Sequence, residues 1–220
     1  MIPGVSRLVA AAQALSLLLL AGCVIAPSAG PTTPDGLQKR ANSRVDSVYA
    51  PPGASLVRYR RVMLDDLEVA FKADWQARRP EIGADEIGDV RTLAAALFRG
   101  AFSAELEKGG YAVVSSPAPD VLRMKATVVD VDFAPASAAA ASVGGKYIVS
   151  TTDVSLVAEL SDSTSGAVLA RVIDRSRGRN VGNLEMASEQ NTSKEALQAF
   201  TTWAGLLREA LDSAREPLSR

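Results

Sequence analysis

The stretch Val121-Leu122-Arg123-Met124-Lys125-Ala126-Thr127-Val128-Val129-Asp130-Val131-Asp132-Phe133 reads as one long β-strand. Leu122, Met124, Ala126 and Val128 recur at every second residue and so share one face of a sheet. The apolar phase then moves to Val129, Val131 and Phe133. One extra residue flips the alternation, so the shift predicts a bulge near Val128. An apolar sheet face of this length needs another layer packed on it.

The flanking segments supply the rest of that layer. Lys146 to Ser161 reads as a second strand, with Val154, Leu156, Ala158 and Leu160 alternating. Asp162-Ser163-Thr164-Ser165-Gly166 follows as a hairpin connection, and Ala167 to Asp174 is the returning strand. Upstream, Leu56 to Phe71 reads as one or two strands broken at Asp65-Asp66. Val57, Tyr59 and Met63 fall in one phase; Leu67, Val69 and Phe71 fall in another. Trp75 follows as a packing anchor. Tyr111 to Val114 is a short strand, closed by a turn over Ser115 to Asp120.

Two stretches carry helical spacing instead. Val90, Leu93, Ala94, Leu97, Phe98, Ala101 and Phe102 recur every three or four residues, which predicts a helix over Asp89 to Lys108. Asp89 is its expected N-cap and Gly109-Gly110 its stop. Thr192-Ser193-Lys194-Glu195 matches a capping box. Behind it Ala196, Phe200, Trp203, Leu207 and Leu211 form a stripe towards Arg215, and Pro217 ends the helix. The expected fold is α+β: a single domain with a mostly antiparallel or mixed β-sheet and two main helices packed on one face.

Composition narrows the function. The chain has 220 residues, 47% apolar and 22% charged, ordinary values for a folded protein. Lys plus Arg is 24 against 25 for Asp plus Glu, a net charge of −1. A nucleic-acid partner would demand a basic excess, so none is expected. The chain contains no histidine, which excludes a Ser-His-Asp triad, a Cys-His dyad and His-ligated zinc. With one cysteine no internal disulfide forms.

The N-terminus reads as an address. Residues 1–22 have the form of a lipoprotein signal peptide: Arg7 is the positive charge, and Leu8 to Ala21 is apolar except for Gln13 and Ser16. That run is shorter than the roughly 20 residues a membrane span needs. Leu20-Ala21-Gly22-Cys23 resembles the lipobox of bacterial lipoproteins. Ala21 and Gly22 are small enough to enter a protease site, and Cys23 offers the thiol that accepts a diacylglycerol. More than one acyl chain is needed for lasting anchorage, and such a cysteine carries several. By the same resemblance Val24, which stands where an aspartate would retain the protein at the inner membrane, implies the periplasmic face of the outer membrane. Residues 23–34, with Pro27, Pro31 and Pro34, read as a lipidated tether. Extended at about 3.1 Å per residue, it reaches on the order of 30 Å. Residues 35–220 form the single α/β domain. Its opening, Asp35 to Pro52, is expected to be irregular chain laid on the domain through Leu37, Val45, Val48 and Tyr49.

Candidate chemistry is sparse. Asp130 and Asp132 sit two apart on a strand, an arrangement that turns both carboxylates to one face, which reads as a solvated edge or else serves cation binding or acid–base work. Arg58, Arg60 and Arg61 surround Tyr59 and suit a phosphate or glycan, or else balance Asp65, Asp66 and Glu68 across a solvated face. No Ser-x-x-Lys, Gly-x-Ser-x-Gly, Walker A or Rossmann pattern occurs. Trp203 with Phe200 and Leu207 reads as core. No catalytic residue, metal ligand or cofactor is assigned.

Several segments resemble a family of bacterial lipoproteins known as domain of unknown function 3313. They are Asp35-Gly36-Leu37, Tyr59-Arg60-Arg61-Val62-Met63-Leu64-Asp65 running into Val69-Ala70-Phe71, and Asp74-Trp75. Further on come Pro119-Asp120-Val121-Leu122-Arg123, Glu159-Leu160-Ser161-Asp162 with Gly166, and Trp203-Ala204 with Leu207-Arg208. Asp66 stands where this family carries a proline. The resemblance implies a lipid-anchored periplasmic domain and no particular activity. The expectation is therefore a non-enzymatic binding or accessory module of the cell envelope, held at the membrane by the lipid on Cys23 and meeting an envelope protein or glycan. The alternative is a periplasmic hydrolase or metal-dependent enzyme using carboxylates.

Overall fold

The computed structural model describes residues 32–41, 43–135, 147–150, 154–175 and 189–215. The long strand is β6, Val121–Pro135. Leu122, Met124, Ala126 and Val128 are each at most 5% exposed, while Arg123 and Lys125 between them face solvent. The predicted bulge is present. β4 (Glu68–Phe71) runs parallel to β6 and pairs Val69 with Val128 but Phe71 with Val131, so β6 holds one residue more than its neighbour. Asp130 takes up that residue at φ 62°. Aspartate is one of the few side chains that visit this left-handed region readily.

The other strands assemble around β6. They are β1 (Gln38–Lys39), β2 (Ser47–Ala50), β3 (Arg61–Leu64), β5 (Ala112–Val113), β7 (Tyr147–Ser150), β8 (Ser155–Asp162) and β9 (Val168–Arg175). Their order across the sheet is β1-β2-β9-β8-β6-β3-β5, with β4 and β7 also paired to β6. β8 is antiparallel to both β6 and β9, whereas β3 and β4 run parallel to β6 and β5 runs parallel to β3. The sheet is therefore mixed, as expected. The β8–β9 turn is the predicted hairpin: Gly166 has φ 72°, and its N–H donates to the Asp162 carbonyl at 2.9 Å.

Three expectations about the strands need correction. Asp35 to Pro52 is not irregular: β1 pairs with β2, and β2 extends the sheet by pairing antiparallel with β9. Four residues are too few to display a period, so only the partner strand reveals the β-structure. In β3 the buried phase is Val62 and Leu64, not Met63, and Val57 is exposed. The Tyr59 N–H donates to the Leu56 carbonyl, and that turn resets the alternation before the strand begins. The predicted strand over Lys146 to Ser161 is two strands, β7 pairing with the far end of β6 and β8 with its first half.

Three helices occur among the described residues: α1 (Trp75–Arg78), α2 (Ala84–Lys108) and α3 (Glu189–Arg215). α2 starts five residues before Asp89. Gly83 is its N-cap, and the Gly83 N–H donates to the Glu86 carboxylate at 3.1 Å. It stops as read, at Gly109, with Gly110 at φ 75°. A side chain on Gly109 would come within about 2.8 Å of the Arg208 side chain of α3 and the Tyr111 ring, so any larger residue there would force one of them to shift. α3 begins at Glu189, so Thr192 lies within it rather than at its cap. Phe200, Trp203, Leu207 and Leu211 are buried as predicted.

Both long helices bury their stripes in one core, with Phe98, Phe102 and Leu106 of α2 meeting Phe200 and Trp203 of α3 over the inner face of the sheet. Phe98 contacts Phe102 and Phe200 at ring distances of 4.4 and 5.7 Å. A smaller cluster holds Trp75, Ile82 and Val90, with Trp75 stacked on Phe71. The arrangement is the α+β domain expected.

Candidate functional site

Of the concavities among the described residues, two are built from opposite materials. The first is an apolar slot of about 280 Å³ between α3 and the β2–β9 end of the sheet. Its floor is the inner face of three strands, β6, β8 and β9: Met124, Leu156, Ala158, Leu160 and Val172. Val45 and Val48 close one side, and Trp203, Leu206 and Leu207 project from α3. The slot exists because the strands beyond β8 carry inward apolar residues that α3 only partly covers; Val48, Val172 and Leu206 are half-buried.

The half-buried polar groups at the slot, Asp174 and Ser43, are already bonded. Trp203 Nε1 donates to Asp174 Oδ2 at 2.8 Å, and the Asp46 N–H donates to Asp174 Oδ1 at 3.0 Å. The Ser43 hydroxyl donates to the Val45 carbonyl at 2.6 Å. At the mouth Arg44 forms an ion pair with Glu209, with Ala210 and Ser213 exposed beside it.

The second concavity is an open groove of about 1020 Å³ running past β3, the start of β4 and the Val113–Ala118 segment. Four cations line it, and each meets a carboxylate. Arg61 forks onto Asp120, Arg123 holds Asp65 at 2.9 Å, Lys125 holds Glu68 at 3.1 Å and Arg99 holds Asp66 at 3.0 Å. The Lys125 bond holds the Glu68 carboxyl below its usual range, and the Arg61 fork does the same for Asp120.

Of the arginines around Tyr59, Arg61 is held in this groove, Arg60 is exposed and Arg58 meets a carboxylate elsewhere. Arg58 donates to the Tyr59 hydroxyl at 2.8 Å and to the buried carboxylate of Asp162. Asp162 also accepts the Thr164 hydroxyl at 2.6 Å, the Ser165 N–H at 2.8 Å and the Tyr59 hydroxyl at 3.0 Å. Those donors, the Thr164 hydroxyl foremost, hold its pKa far below the ordinary value. This is a structural hub that ties the β8–β9 hairpin to Tyr59. Burial, and the hydrogen bond to Asp212 at 2.8 Å, push the Tyr111 phenol up to about 12.

The paired carboxylates read from the sequence do not form a site. The bulge breaks the alternation that put Asp130 and Asp132 on one face. Asp130 is exposed at the left-handed position, while Arg78 holds Asp132 at 3.2 Å. Among the described residues no group of three or more His, Cys, Asp or Glu side chains stands ready for a metal ion. Trp203, Phe200 and Leu207 are core, as read, although Trp203 also walls the slot. Leu20, Ala21, Gly22 and Cys23 lie outside the described residues. No described helix is long and apolar enough to cross a membrane.

The family described as protein of unknown function DUF3313 matches residues 29–207, and the chain belongs to it. No curated protein matches the chain at significant similarity. Among solved structures, a PelC dodecamer from Paraburkholderia phytofirmans is 15% identical, with 72% of this chain and 96% of that one covered at a TM-score of 0.36. A putative neuraminyllactose-binding hemagglutinin homolog from Helicobacter pylori is 14% identical, with 72% and 86% covered at a TM-score of 0.34.

Proposed function

We propose that this member of the DUF3313 family is a cell-envelope lipoprotein, held by acyl chains on Cys23 at the periplasmic face of the outer membrane, whose folded domain works by binding rather than by catalysis. The observation that carries the binding reading is the slot under α3: an apolar recess whose half-buried carboxylate, Asp174, is already held by the Trp203 indole and the Asp46 N–H. Such a recess gives affinity through removal of apolar surface from water and offers no group to move a proton. A carboxylate enzyme needs a general acid with its pKa raised towards neutrality. Every displaced carboxylate among the described residues moves downward instead: Asp35, Glu68, Asp120 and Asp162.

The anchor is supported by the order of Arg7, the apolar run and Leu20-Ala21-Gly22-Cys23. Metabolic labelling with palmitate tests it. The wild-type protein is expected to incorporate label and to fractionate with outer membranes. Cys23→Ser is expected to lose the label and leave the membrane fraction. An unlabelled wild-type chain, or a serine variant that fractionates unchanged, overturns the anchor.

A further inference from the structure

The half-buried wall of the slot gives a guest apolar contact, and its one hydroxyl without a hydrogen bond, that of Ser213, stands at the exposed rim. Asp174 accepts from both Trp203 and the Asp46 backbone, and the Ser43 hydroxyl is turned to Val45. A polar guest would therefore lose its bonds to water without replacement, so the buried part of any ligand is hydrocarbon. The volume sets its size. An apolar cavity of about 150 Å³ stays dry and admits benzene, so a slot of about 280 Å³ takes on the order of ten carbon atoms. The mouth sets the head group. Arg44 is 72% exposed and its partner Glu209 39%, and an ion pair so exposed is weakly held. The guanidinium is free to exchange that partner for a ligand's anion.

We propose that the slot binds one medium-length hydrocarbon chain bearing an anionic head, with the chain under α3 and the head on Arg44. A fatty acid and a single-chain anionic phospholipid share this chemistry. The proposal rests on the binding reading above and is independent of the lipid on Cys23.

The test uses the full chain in lipid nanodiscs and dodecanoate brominated near the end of its chain, because bromine quenches an indole only at close contact. Trp203 walls the slot, whereas Trp75 sits in the separate cluster with Ile82 and Val90. The expected result is saturable quenching in the wild type and none of the remaining Trp75 emission in Trp203→Phe. Brominated decanoate, two methylenes shorter, should bind roughly tenfold more weakly. Ala210→Phe, a substitution at an exposed position on the rim, should weaken dodecanoate by about tenfold or more with the unfolding midpoint unchanged. Arg44→Gln should weaken dodecanoate several-fold and leave dodecyltrimethylammonium unaffected. Competition by a lysophosphatidylglycerol of equal chain length identifies the lipid source if it is tighter than dodecanoate, and the free acid if it is not. Quenching that does not saturate, that persists in Trp203→Phe or that ignores Ala210→Phe overturns the proposal. A chain that labels with palmitate yet fails this titration loses the slot ligand and keeps the anchor.

Discussion

Under α2, Phe98, Phe102 and Leu106 are each at most 1% exposed; on the α3 side, Val48, Val172 and Leu206 are half-buried and border an unfilled slot. Both regions face one sheet and are apolar. They differ in cover. α2 lies against β4 and β5 at one end, where the sheet is narrow. α3 faces the other end, where β9, β2 and β1 carry the sheet onward past it. Complete burial is thus a local property here: the chain seals one end from solvent and leaves the other with room for a guest.

The largest effect should come from truncating each region in turn. Phe102→Ala opens a void that its surroundings cannot collapse into, and should cost about 3–5 kcal/mol in urea unfolding. Leu206→Ala only enlarges a recess that already exists, and should cost about 1 kcal/mol. Equal losses would erase the distinction between the two ends.

A smaller effect concerns acid. Folding lowers the pKa of Asp162, Asp120, Asp35 and Glu68. Their ionised forms are favoured in the folded state, so that contribution to stability is complete above about pH 5 and drains away as the pH falls below it. Asp162 is the buried member, and it sits beside β6, away from the slot. Asp162→Asn should lower the thermal midpoint at neutral pH and flatten its fall between neutrality and acid. An unchanged acid limb would move the origin of acid sensitivity away from the densely packed end. Smallest of all, Arg44→Gln removes an exposed pair and should change unfolding by less than about 1 kcal/mol. A larger loss would mean that the mouth of the slot is structural.

What the sequence discloses follows the length of each signal. β6 alternates over enough residues that its face, and the slip caused by the bulge, are visible before any partner is known. The Asp162–Gly166 hairpin and the Gly109-Gly110 stop are legible because turn chemistry is local. β2 is hidden because Ser47-Val48-Tyr49-Ala50 becomes a strand only beside β9. The slot is hidden for the same reason: its lining comes from β2, β6, β8, β9 and α3, distant segments that no spacing rule joins. Asp130 misleads because a residue at positive φ obeys neither strand nor helix periodicity.

The way the chain enters the sheet has a mechanical consequence. Thr33 folds the segment back on itself, its hydroxyl accepting the Leu37 N–H at 2.9 Å, and Thr32 bridges to Gln38. Any pull on the N-terminal side is therefore delivered first to that small loop and then to the two pairs between β1 and β2. These would peel before β2 shears from β9. A load from upstream would release on the order of 20 Å of slack at the rim before it reached β2, so the domain carries a sacrificial hem along this border.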